Sequence, residues 1–223
     1  MVERTRKKAA PRPPLTRERA MTAAIAIADA EGLSGLTMRR LAQALGVEAM
    51  SLYHHVANKD DILDGMVDLV FTEIELPSPG SEWRPAMHQR ATSARAAMMR
   101  HPWAITIMES RSSPGPATLR HHDAVLGSCR RAGFSVEMAA HAFSLIDSYI
   151  YGFVVQEVNL PFDDTSDLNE VVGSMMLPFS ADDYPHLVEL TTEYILKPGY
   201  RYGNEFAYGL ALILDSLEAA ARA

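Results

Sequence analysis

The sequence predicts an all-α protein, with a small N-terminal helical unit ahead of a larger helical body. Apolar residues recur at i, i+3, i+4 and i+7 through most of the chain, the spacing of one helix face. Residues that cap helix starts precede these stripes, and glycines follow several of them. No stretch alternates apolar and polar residues as a half-buried strand does. At 223 residues and 48% hydrophobic content, the chain can bury a substantial core.

Residues 1–14, MVERTRKKAAPRPP, hold three prolines and a near run of basic residues with no apolar period, so a disordered basic arm is expected. Beside a DNA-reading unit, such an arm can reach phosphates or the minor groove. Thr16 is placed to cap a first helix. In it Ala20, Ala24, Ile27 and Glu31 share one face, with Met21, Ile25 and Ala28 beside it, and Gly32 stops it. Thr37 caps a second helix whose stripe is Met38, Leu41, Ala42 and Leu45, and Gly46 ends it. Only Val47 and Glu48 precede a short third helix. Asn58 caps a fourth, with Asp61 placed like the acid of a capping box. Its stripe is Ile62, Leu63, Met66, Val67, Val70, Phe71 and Ile74, long enough to link head to body.

The break LPSPGSEW at 76–83 follows. Helical patterns then run at about 84–100, 103–110, 118–132 and 135–157, punctuated by SSPGP at 112–116 and by Gly133. Residues 158–183 are acidic and contain Pro161 and Pro178, and they read as a long loop with one short turn of helix. Helices near 184–196 and 204–221 close the chain. The division expected is an arm at 1–14, a small helical domain at 15–60, a linking helix and break at 61–80, and a larger helical body at 81–223.

The net charge of −7 is unevenly spread. Residues 1–60 carry 10 Lys/Arg and 6 Asp/Glu, hence +4, while residues 61–223 carry 11 and 22, hence −11. A basic head on an acidic body implies a polyanion partner for the head only. Two helices joined by a tight turn at Gly46, after a stabilising first helix, make a helix-turn-helix. Leu41, Leu45, Val47, Leu52 and Val56 are spaced to pack the pair together. The opposite face of the third helix then carries Ser51, Tyr53, His54 and His55. A face that meets only solvent more often carries Glu and Lys. Hydroxyls and imidazoles can donate to phosphates or touch thymine methyls. Lys59 falls in the first turn of the next helix, where backbone amides also point outward.

The stretch LTMRRLAQALGVEAMSLYHHVANKDDILDGM resembles the DNA-binding domain of the TetR family of bacterial transcriptional regulators, with the match running from Leu15 to Ile74. The Thr37…Arg39…Leu41-Ala42…Leu45-Gly46-Val47 run, the Leu52-Tyr53-x-His55 block and Asn58-Lys59 all fall in register. The resemblance implies that Arg39 reads a base, through guanine N7 and O6. It implies that Ser51 and Tyr53 make groove and phosphate contacts, and that Thr37, His55 and Lys59 clamp phosphates. His54 shares their face. Ala49 and Met50 stand where tetracycline-repressor-like members carry base-bonding residues or a proline. Ala49 can offer only a methyl, so a different operator from that of the tetracycline repressor is expected. The partner implied is double-stranded operator DNA.

RHPWAITIMES (100–110), RRAGFSVEMAAHAFSLIDSYIYGFVVQE (130–157) and NEFAYGLALILDSLE (204–218) resemble the tetracycline-repressor type of ligand domain. Such proteins are homodimers that pack two long helices from each chain as a four-helix bundle. Phe206, Leu210, Ile213, Leu214 and Leu217, with Phe143, Ile146, Ile150 and Val154, are expected to form that face. The two short helices of a dimer would read an inverted repeat. A small-molecule pocket is expected among Arg90, Ala94, Met98, His101, Trp103, Ile105, Met108, Arg111, Ser148, Tyr149, Gly152 and Gln156, where Met walls accept varied shapes and Arg or Gln orients a polar end. Met108 and Gln156 occupy the places of the tetracycline repressor's metal-chelating histidine and glutamate, although Glu109 and Glu157 lie one residue away. A metal–drug chelate is therefore not expected, and no metal or cofactor is.

Other classes fit less well. His122-Asp123 is similar to the metal pair of HD-type hydrolases, but His88, His141 and Asp147 have no supporting spacing. The single cysteine, Cys129, sits in an amphipathic pattern with no positioned base, so no catalytic residue is assigned. A ligand-binding dimer without DNA binding is disfavoured by Arg39, Tyr53, His55 and Lys59. The N-terminus has no apolar signal core. Residues 134–158 carry Glu137, His141, Asp147 and Glu157, too polar for a lipid-facing span. A cytoplasmic, non-enzymatic repressor with no membrane partner is the expectation.

Overall fold

Thr16 accepts a hydrogen bond from the Arg19 amide and opens α1 (Arg17–Gly35). The computed structural model describes residues 14–222 except 109, 112, 163–167 and 177–179. The arm expected at 1–14, apart from Pro14, and the DDTSD stretch therefore lie outside the described residues. Gly32 takes φ 71°, and one further turn carries α1 past the expected stop. The Thr37 hydroxyl accepts from the Arg40 amide at the start of α2 (Met38–Leu45), and Gly46 ends it at φ 69°, a left-handed value that a side chain would strain. Next come α3 (Ala49–Leu52) and α4 (Lys59–Thr72). The Asn58 side chain caps α4 by accepting from the Asp61 amide, while the Asp61 carboxylate accepts from Ala57 N–H, so the return bond of the expected box falls one residue before the cap.

The body holds α5 (Trp83–Arg100), α6 (Trp103–Met108), α7 (Pro116–Arg131), α8 (Val136–Val158) and α9 (Leu168–Met176). It closes with α10 (Pro185–Leu190), which runs into a π-helical turn at 191–195, and α11 (Gly203–Arg222). Where one short helical turn was expected within 158–183, α9 is a nine-residue helix. Among the described residues there is no strand, so the all-α reading holds. α4 packs on α1 and α7, α5 packs on α8 and α11, and α7 packs on α8. α11 comes close to α8 at Gly209, where a Cβ would lie 2.3 Å from the Tyr149 hydroxyl. That hydroxyl donates to the carbonyls of Glu205 and Phe206.

The face expected to meet a second chain is largely this chain's own core. Ile146, Ile150, Val154, Phe206, Leu210, Leu214 and Leu217 are buried, while Phe143 and Ile213 are half-buried. Both helices are apolar on more than one side, and the inner stripe covers α5. A second stripe faces outward: Leu145, Ser148, Gly152 and Val155 on α8, and Tyr208 and Leu212 on α11. α8 is long and apolar enough by length and composition to cross a membrane, but its stripe Ala142, Ile146, Ile150 and Val154 packs inside the chain.

Candidate nucleic-acid interface and body cavity

α3 is too short to stand alone, since four residues barely complete one turn. Leu52 and Val56 hold it down: both are buried, beside Leu41 and Leu45 of α2. The burial of that side fixes what faces out. Thr37, Arg39, Met50, Tyr53, His54, His55 and Lys59 are all exposed, and Ala49 and Ser51 are half-buried. Met50 and Tyr53 are 73% and 47% exposed, so both side chains are open to a partner. Arg39 has solvent around it, whereas its neighbour Arg40 is tied to Glu31. None of the nine expected DNA contacts is fully buried, and all lie in α2, α3, the residues flanking them and the start of α4.

Behind this surface the head is pinned to the body. His101 Nδ1 lies 2.8 Å from Asp29 of α1, and Nε2 lies 3.2 Å from Glu73 at the end of α4. Trp103 Nε1 donates to Asp29 at 2.6 Å, and Arg100 donates to Glu73 at 2.6 Å. His101 and Trp103, expected in the pocket, therefore sit at the head–body junction.

A cavity of about 220 Å³ lies between α4, α6, α7 and α8. Val67, Phe71, Met108, His122 and Tyr151 give it an apolar and aromatic wall, and Asp64, Arg111, Ser113 and Thr118 its polar groups. Of the expected ligand residues, Met108 and Arg111 line it. Ala94 and Met98 are buried on α5, and Ile105 is half-buried on α6. Ser148 and Gly152 are exposed on the outer face of α8, Tyr149 bonds to α11, and exposed Gln156 accepts from the Tyr202 hydroxyl at 2.7 Å. Asp64, Val67, Phe71, Ser113, Thr118, His122 and Tyr151 also line it, and no sequence pattern marks them as ligand residues. Val67 and Phe71 look like any core position in their stripe, and the signal in His122 was only its neighbour Asp123.

Arg90 lies beneath the wall. Its guanidinium is 1% exposed, ion-paired with Asp147, and its Nε donates to His121 Nε2 at 3.0 Å. Asp147 also accepts from the Tyr151 hydroxyl at 3.2 Å, which joins this buried network to the cavity. Burial first, and the Arg90 charge second, hold His121 down at about 3, so it stays neutral. Because Nε2 accepts, Nδ1 carries the hydrogen, and it is buried with no hydrogen-bond partner among the described residues. Cys129 accepts from Trp83 Nε1 at 3.2 Å, and burial pushes its thiol up, away from reactivity. Among the described residues no three His, Cys, Asp or Glu side chains are grouped to hold a metal ion. Asp123 is exposed and Asp147 is committed to Arg90, so the hydrolase constellation does not assemble.

Residues 20–66 match the family profile of bacterial regulatory proteins of the tetR family, and residues 76–221 match that of the tetracyclin repressor-like C-terminal domain. The HTH-type transcriptional repressor DrrR1 of Streptomyces coeruleorubidus is 33% identical over 93% of this chain and 79% of its own length. The class C tetracycline repressor protein of Escherichia coli is 30% identical over 92% of this chain and 91% of its own. The crystal structure of ActR from Streptomyces coelicolor in complex with actinorhodin superposes with a TM-score of 0.74 at 31% identity, over 94% of this chain and 99% of that one. Profile matches over both parts, with relatives aligned along almost the whole chain, establish that this protein belongs to the TetR family and is a ligand-responsive, DNA-binding transcriptional regulator.

Proposed function

We propose that the chain is a repressor that binds a palindromic operator as a homodimer and is released by a small molecule held in the body cavity. The observation that carries this is the double use of α4. Its first residue, Lys59, stands on the exposed polar surface, while Asp64, Val67 and Phe71 stand in the cavity wall. A shift of α4 that accommodates a ligand therefore moves the phosphate-facing turn as well. A hundredfold loss of operator affinity needs only about 2.7 kcal/mol of coupling. The working division is DNA reading by 15–60, transmission by 61–80, and ligand binding and dimerisation by 81–223.

Dimerisation is supported by the outward stripe on α8 and α11. Ser148 and Gly152 let a partner helix come close, between Leu145 and Val155. Repression needs no further surface, because occupying a promoter suffices, and DrrR1 is itself named a repressor. The chain is read as cytoplasmic and non-enzymatic. Selection of genomic fragments by the purified protein tests the reading. The expected outcome is enrichment of an inverted repeat with half-sites about one helical turn apart. Enrichment of no motif counts against it.

A further inference from the structure

Arg111 is the one permanently charged cation among the described residues of the cavity wall, and its bonds lead to the head. Its Nε donates to Asp64 at 2.5 Å, Nη1 to the Asp60 carboxylate at 3.2 Å, and Nη2 to the Asp60 carbonyl at 3.1 Å. Asp60 follows Lys59 directly, in the first turn of α4. The Arg111 and Asp64 side chains are 18% and 25% exposed, whereas that of Asp60 is 74% exposed. The sheltered half of the clamp thus lies in the cavity wall, and the wet half lies in solvent beside Lys59. Adopting the reading of the cavity as the effector site, we infer that Arg111 couples that site to the DNA surface and that the effector is an aromatic acid whose anionic group takes the guanidinium from Asp64 and Asp60.

The chemistry follows from the wall. A carboxylate matches a guanidinium fork with two parallel charge-assisted hydrogen bonds, the strong form of this contact. Phe71, Met108 and Tyr151 offer apolar surface to a flat ring system. Once an anion sits on Arg111, it lies among the carboxylates that the guanidinium held. Asp60 and Asp64 lose their partner and gain a like-charged neighbour, and the repulsion acts on the first turn of α4. Lys59 and the Asn58 cap belong to that turn, so the anion loosens the phosphate-facing end without a long relay. A cationic effector would pair with Asp64, the carboxylate in the same wall, and leave the Asp60 half of the clamp in place.

Calorimetric titration of the full chain with 1-naphthoate, 1-naphthamide and 1-naphthylmethylamine tests this, with amide hydrogen exchange followed across 57–66. Naphthoate is expected to bind about tenfold or more tighter than the amide or the amine, and Arg111→Gln is expected to abolish the preference. Naphthoate should raise exchange in the first turn of α4, and Arg111→Gln should raise it without ligand. Asp60→Asn, a surface change that spares folding, should raise exchange while keeping the preference for the acid. Four outcomes overturn the inference: the amine or amide bound as well as the acid, a preference that survives Arg111→Gln, naphthoate bound with α4 unchanged, or no binding by any of the three. Fragment selection on the same preparations shows whether the regulator reading stands apart from that result.

Discussion

Asp147→Ala removes the carboxylate from a guanidinium that is almost wholly buried. Arg90 and Asp147 side chains are 1% and 8% exposed, so neither charge has water to fall back on. Breaking such a pair from one side costs about 3–5 kcal/mol, because the remaining charge stays buried and uncompensated. His121 cannot replace the carboxylate, since it offers Arg90 one neutral nitrogen. The Tyr151 hydroxyl also loses an acceptor. For a chain of this length each kcal/mol moves the melting temperature by about 2–4 °C, so a fall of about 6–20 °C is expected. Thermal melts followed by circular dichroism, with urea titrations beside them, give the number. The double change Arg90→Met with Asp147→Leu removes both charges and should lie within about 2 kcal/mol of wild type, above Asp147→Ala. An Asp147→Ala variant within about 1 kcal/mol of wild type, or a double variant no better than the single, would refute an uncompensated buried charge as the cause.

Three further outcomes follow from the same structure. His121 is held at about 3 when folded, mainly by burial and then by Arg90, so below its unfolded value near 6.5 the unfolded chain takes the proton first. Its contribution to stability is complete above about pH 6.5 and is lost as the pH falls toward 3, at up to about 1.4 kcal/mol per pH unit. Between about pH 7 and 5 the stability of His121→Gln should decline less steeply than that of wild type, and equal slopes in urea unfolding contradict this. Leu52→Ala opens a hole at a fully buried position and should cost about 2–5 kcal/mol. Tyr53→Ala, one residue on, should leave stability within about 0.5 kcal/mol while weakening operator binding, and the contrast is read by pairing melts with anisotropy. Leu145→Asp combined with Leu212→Asp should give a monomer in sedimentation runs, and a persistent dimer places the interface elsewhere.

The head was legible because its signals are local. Thr16, Thr37 and Asn58 each cap within three residues of the amide they satisfy, and Gly46 supplies the left-handed turn between α2 and α3. Burying Leu52 and Val56 then leaves Tyr53, His54 and His55 exposed by periodicity alone. The cavity was not legible in this way. Val67 and Phe71 share a stripe with Met66 and Val70, and a stripe tells that a residue faces inward, not whether it meets a neighbour or a void. The void exists because the segment after α6 and the start of α7 cross α4 near Asp64 and Phe71, which is a long-range fact. The same limit applies to α8 and α11. Each carries two apolar stripes, and only the packing of α5 decides which one is interior.

The measurement that bears most directly on the account is an anisotropy titration of the selected operator fragment from about 50 to 200 mM salt, with wild type, Arg39→Ala and Lys59→Ala. Wild type should bind tightly with a steep salt slope. Lys59→Ala should weaken binding on every sequence and reduce the slope by about one per subunit. Arg39→Ala should cost about 1–3 kcal/mol per half-site and relax the preference for the inverted repeat. Binding that ignores sequence, or that neither substitution alters, contradicts a head that reads DNA through the exposed surface of α2, α3 and the start of α4.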